Sequence, residues 1–115
     1  MASVVSAAIR GLGDKYVDGT ERIEIHVPSD RAHGLPYSQD IRVPVVLHIS
    51  GESYQAGLRA TAKNSYVWIC PDVVAKDGKR KKLAHVVANA GFKKNDRVFL
   101  IVDGRDIVLK ATKSQ

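Results

Sequence analysis

The sequence predicts a mainly β fold, a small open β-barrel of about six or seven strands with one or two short helices. Three observations carry this. Short runs alternate apolar and polar residues with period two, and Gly, Pro, Asn and Asp punctuate the chain between them. Only one segment has a clear helical period, and strands never alternate regularly with helices, which excludes a doubly wound sheet.

Along the chain, residues 1–20 place Val4, Val5, Ala8, Ile9 and Leu12 near helical spacing before Gly13 and Gly19. They are expected to form a lead-in or short covering helix, with the barrel domain spanning residues 21–113. Ile23, Ile25 and Val27 then alternate with Arg22, Glu24 and His26, the pattern of a half-buried strand. Pro28 closes it, and the turn-rich residues 29–40 (SDRAHGLPYSQD) predict an exposed loop. Residues 41–49 read as a second strand, with Pro44 implying an edge position or a bulge. Residues 53–60 and 66–70 form two more strands around the polar turn TAKNS. Leu83, Val86, Val87 and Ala90 mark a helix that Gly91 stops. Residues 97–102 and 105–110 close the chain as a hairpin, for which Asp103-Gly104 predicts a type I′ turn.

At 115 residues the chain is one domain in length, with 44% apolar and 26% charged residues, ordinary globular values that argue against disorder. No run is apolar enough for a membrane span and no secretory leader is evident, so a cytoplasmic location is expected, or a nuclear one in a eukaryote. Cys70 is the sole cysteine, and the four histidines lack companion pairs at zinc-ligand spacing, so neither a disulfide nor a structural metal is expected. The net charge of +6 is unevenly distributed. Residues 1–50 hold five Lys and Arg against six acids, whereas residues 51–115 hold thirteen against six. Such clustering favours a polyanionic partner, nucleic acid before an anionic membrane surface, although solubility alone also accounts for a basic surface.

Motifs for chemistry are scarce. There is no phosphate-binding GxxxxGK[ST] motif and no GxSxG element, and Ser29 and Ser50 lie in no Ser, His and acid set. Asp72, Asp77 and Lys79 are the nearest approach to a metal-nuclease centre, but their spacing fits a solvated basic turn better. His26, His48 and His85 fall on polar faces, and Cys70, Trp68 and Tyr54 read as core side chains. No catalysis and no cofactor are expected.

Binding features are richer. Arg59, Thr61, Lys63, Asn64, Ser65 and Tyr66 share one hairpin, where Arg and Asn can read base edges and Lys and Ser can contact phosphates. Arg31, His33, Tyr37 and Ser38 populate the 29–40 loop. The run Lys79, Arg80, Lys81, Lys82 is expected at the helix start, where positive charge opposes the macrodipole unless it serves another purpose such as phosphate contact.

From residue 51 to 110 the order is GESYQAGLRA, a basic turn into YVWIC, the helix LAHVVANAG, then FKKNDRVFLIVDGRDIVLK. This resembles the B-three type DNA-binding pseudobarrel of plant transcription factors such as auxin response factors and of restriction-endonuclease DNA-recognition domains. The segment ANAGFKKND (88–96) stands where that family has N-x-L-x-x-G-D, with Phe92 in the apolar slot and Asn95 in place of the usual glycine. The closing segment is also similar to swapped-hairpin transition-state-regulator barrels. The B-three resemblance implies two arms gripping double-stranded DNA: the loop with Arg31, His33, Tyr37 and Ser38, and the 59–66 hairpin, with Lys79 to Lys82 adding phosphate contacts. It further implies a recognition unit associated with, or fused to, a nuclease or regulatory domain. The alternative is a barrel that binds protein or itself through a strand edge near Pro44.

Overall fold

A computed structural model of the chain describes residues 2–112. The boundary expected at residue 113 therefore lies outside the described residues. Nine strands form: β1 Ser3–Lys15, β2 Glu21–Pro28, β3 Val43–Ile49, β4 Glu52–Ala60, β5 Tyr66–Ile69, β6 Asp72–Ala75, β7 Arg80–Lys82, β8 Arg97–Asp103 and β9 Asp106–Ala111. The one α-helix, α1, spans Leu83–Asn89. Strand order is β3-β9-β8-β1-β2-β5-β4, and pairing of β3 with β4 closes these seven into a barrel. The ribbon β6–β7 extends from β4. The mainly β barrel predicted from the sequence is thus what the chain forms.

The N-terminal segment departs from expectation. Instead of a lead-in or helix, β1 is a central barrel strand, antiparallel to both β2 and β8. Val5, Ala7 and Ile9 point into the core, while Val4 and Leu12, which completed the helical face, remain 67% and 38% exposed. Two flanking strands satisfy the backbone of β1 from both sides, and this non-local pairing outweighs a local helical pattern. Near its end the register with β2 slips between Gly11 and Lys15, the mark of a bulge.

The Glu21–Lys94 pair crosses β1 at Gly11, where a Cβ would strike the Glu21 carboxylate and the Lys94 stem. Lys94 Nζ donates to Glu21 Oε1 at 2.8 Å, and the Gly13 amide donates to Oε2 at 3.1 Å. Lys94 first, then the amide, holds the Glu21 carboxyl below its ordinary value of 4.5. A depressed carboxylate contributes stability above its unfolded pKa and loses it as pH falls through the folded one. Lys94→Met should therefore raise the Glu21 midpoint in an NMR titration and reduce the loss of stability on acidification; an unmoved midpoint would contradict this account.

Pro44 fits because Val46, two residues on, donates its amide to Arg105 O on the β9 side at 2.8 Å. The Pro44 nitrogen faces the same side, but β3 pairs with β9 only at residues 46–48, so Pro44 interrupts no ladder bond there. Ser50 and Gly51 both have positive φ, 49° and 82°, as a type I′ turn between β3 and β4 requires. The β8–β9 turn is shifted by one residue from expectation: Asp103 pairs with Asp106, leaving Gly104 and Arg105 as its centre. Gly104 has φ 61° while Arg105 does not enter the left-handed region, the pattern of type II′ rather than I′.

The barrel has two distinct ends. At the start of β2, α1 contributes Leu83, Ala84, Val86 and Val87 to the core, and His85 reaches Thr20 Oγ1 at 3.0 Å. At the other end of β2 the 29–40 loop begins. Among the described residues, no helix is long and apolar enough to cross a membrane.

Candidate nucleic-acid interface

Both sequence-predicted arms lie at the second end, side by side. Ser29 donates its amide to Ser65 O at 2.9 Å, Asp40 donates to Ala60 O at 2.7 Å, and Gln39 forms a parallel bridge with Ala60. The 29–40 loop is not a free excursion: after a 3-10 turn at Ser29–Arg31, Ala32 and Leu35 are buried in the core. Tyr37 also packs against the core, leaving Arg31, His33 and Ser38 exposed. Apolar residues within the loop anchor it, because burying them offsets the entropy of ordering the segment.

The β4–β5 turn is internally braced. Asn64 donates its amide to Thr61 O at 3.2 Å and Nδ2 to Thr61 Oγ1 at 2.9 Å. This leaves Asn64 its carbonyl oxygen and one amide hydrogen, the pair of groups that reads an adenine edge. Lys63 and Ser65 are exposed, and Arg59 projects from the outer wall opposite Trp68. Tyr66 stacks on His26 with centroids 4.0 Å apart and planes at 15°, and Trp68 is tilted against Tyr66 at 5.6 Å. Trp68 is therefore a half-buried outer-wall side chain rather than the core aromatic the sequence predicts, because its alternation partners Val67 and Ile69 take the inner face.

The basic run lies elsewhere. Arg80–Lys82 form β7, joined to β6 through the Asp77-Gly78 turn, where Asp77 Oδ1 accepts the Lys79 amide at 3.0 Å. β6 pairs with Tyr54 and Gln55, about 17–20 Å along β4 from Ala60 at roughly 3.3 Å per residue. Lys79 and Arg80 are thus far from both arms, and only Lys82 adjoins the helix start. Pairing with β6 keeps residues 80–82 extended, so the run spends little charge on the helix dipole. Lys82 Nζ sits 4.6 Å from the Tyr16 ring centroid and 3.7 Å from Asp18, which also approaches His85 at 3.4 Å. Asp72 and Asp77 sit at opposite ends of this ribbon, and no group of metal-ligating side chains forms among the described residues.

Sequence reasoning missed Arg10 and Arg97. Both project outward from β1 and β8 and, with Arg31, His26, Ser65 and Tyr66, line a groove of about 340 Å³ beside the arms. The alternation of Val5, Ala7 and Ile9 was the available signal for Arg10, masked by the helical spacing of its neighbours.

His48 and Cys70 lie outside this interface. His48 Nδ1 is 2.8 Å from Ser53 Oγ and its Nε2 is 3.0 Å from Asp106 Oδ1, linking β4, β3 and β9 at the short parallel seam. Burial pushes the Cys70 thiol above its ordinary value, only partly offset by Arg42, so it is a poor nucleophile at neutral pH.

Comparison with family models, curated proteins and solved structures finds no match to this chain. The functional reading therefore rests on the geometry of the chain itself.

Proposed function

We propose that the chain is a sequence-specific double-stranded DNA-binding domain of B-three type, which presents its two arms to the major groove and catalyses no reaction. The observation that supports this best is the joining of the 29–40 loop to the β4–β5 turn at one barrel end, where Arg31, Arg59 and Lys63 have no acidic partner among the described residues. Arg59 and Asn64 suit base edges, while Lys63, Ser65, Arg31 and Ser38 suit phosphates. A rigid barrel supporting braced loops limits the entropy lost on binding. The Lys79 to Lys82 run, on the far ribbon, is left out of this interface.

Self-association through a strand edge is less favoured. β3 is paired on both sides from residue 46 to 48, so the edge near Pro44 is short, and the β7 edge is wholly basic, which discourages strand addition.

Selection from a randomised duplex pool at near-physiological salt should enrich a motif of a few base pairs. No enrichment, with weak retention that falls steeply with salt, would overturn sequence-specific recognition and leave only a general polyanion surface.

A further inference from the structure

The groove beside the arms shares Arg31 and Ser65 with them but adds Arg10, Arg97 and His26, which the duplex reading does not use. In register across the outer wall, Arg97 faces Ala8, Ala8 faces His26, and His26 faces Trp68. Ala8 contributes a single methyl group between much longer neighbours, which leaves a trough. Arg10, Arg31 and Arg97 all line it and no carboxylate does. None of the three has a hydrogen-bond or ion-pair partner among the described residues. Glu24 faces Arg10 across the β1–β2 ladder but its carboxylate is taken up by His26 at 2.8 Å, so three arginines stand against one engaged carboxylate, a positive excess that an anion would relieve.

All three are arginines, whose planar forks match phosphate oxygens in pairs. The flat His26–Tyr66 stack lies beside them, and its orientation is fixed. His26 Nε2 is 2.8 Å from Glu24 Oε1, and Glu24 is only 9% exposed. A volume of about 340 Å³ lies at the low end of small-molecule sites, which span roughly 300–1,000 Å³, and it suits one small unit rather than a helix.

We infer that this groove is a nucleotide site, in which Arg10, Arg31 and Arg97 hold the phosphate and the base lies against the His26–Tyr66 pair. A base inside a duplex is covered on both faces by its neighbours, so the ligand is an unpaired nucleotide, either free or within a single strand. The inference needs no duplex binding and stands if the arms prove inactive.

Trp68 is the only tryptophan of the chain and lies 5.6 Å from Tyr66, so its fluorescence reports on the site. Titrations would use 5′-AMP, adenosine, inorganic phosphate and a 5′-phosphorylated single-stranded pentanucleotide, with calorimetry as a second readout. Saturable AMP binding is expected, at least tenfold tighter than adenosine or phosphate alone. A pentanucleotide that binds tighter than AMP identifies a single strand as the ligand source; equal binding identifies the free nucleotide. Ala8→Leu fills the trough and keeps every charge, and should weaken AMP at least tenfold while duplex affinity is unchanged. Should that variant not fold, the exposed pair Arg10→Ala and Arg97→Ala applies the same test from the charge side. Absence of saturable binding by AMP and the pentanucleotide, or AMP affinity unchanged in the arginine double variant, overturns the inference.

Discussion

Replacing Ile9 by aspartate is expected to unfold the protein. Ile9 is fully buried at the middle of β1, faces Ile25 across the ladder, and exchanges backbone hydrogen bonds with the 95–96 turn: its amide donates to Asp96 O at 2.9 Å and its carbonyl accepts from Asn95 at 2.7 Å. Removing a buried isoleucine costs about 2–5 kcal/mol, and an unpaired buried carboxylate adds several more. That total rivals the roughly 5–15 kcal/mol by which domains of this size are stable. Val4→Asp, at a 67% exposed position, should change stability by no more than about 0.5 kcal/mol. Urea unfolding followed by circular dichroism checks the contrast. Equal sensitivity at residues 4 and 9 would restore the helical face that the local spacing suggests, and near-parental stability of the Ile9 variant would remove β1 from the barrel.

The second large effect separates the two basic regions. Arg31→Ala, Arg59→Ala and Lys63→Ala combined should weaken duplex binding by about a hundredfold or more, since one good base contact is worth about 1–3 kcal/mol and tenfold is 1.4 kcal/mol. The salt dependence should flatten as well, by about 0.9 in logarithmic slope for each phosphate that the variant no longer neutralises. Lys79→Ala, Arg80→Ala and Lys81→Ala combined remove the same formal charge but act from the far ribbon. At roughly 13–20 Å along the strand from Ala60, beyond the screening length of about 8 Å in physiological salt, they should change affinity less than about threefold. Fluorescence anisotropy on the selected duplex decides between them. The reverse ranking would move the interface to the ribbon end and end the two-arm proposal.

The split between these regions shows what local sequence conveys and what it hides. The strands β2, β3, β4, β5, β8 and β9 are legible because side chains alternate with period two and the turns between them carry their own chemistry. The Ser50-Gly51 and Gly104 turns need positive φ, and α1 ends at Gly91 with φ 92°. The ribbon β6–β7 is less legible, since strands of four and three residues hold too few alternations to reveal a period. In β1 the residues satisfy two templates at once, and the choice falls to whichever neighbours accept the backbone.

The candidate sites divide in the same way. The two arms could be picked out because turn-rich polar stretches are local features, but their apposition rests on hydrogen bonds between residues 29 and 65 and between 40 and 60. The exclusion of Lys79 and Arg80 from that end, and the gathering of Arg10, Arg31 and Arg97 around one groove, follow from strand order and register. The fold class, the basic second half and most strands can be read from the chain alone, because periodicity, turn geometry and charge belong to residues near one another in it. Which strands are neighbours, and with them which outward side chains share a surface, emerges in the folded barrel, because pairing between distant segments depends on packing the whole core at once.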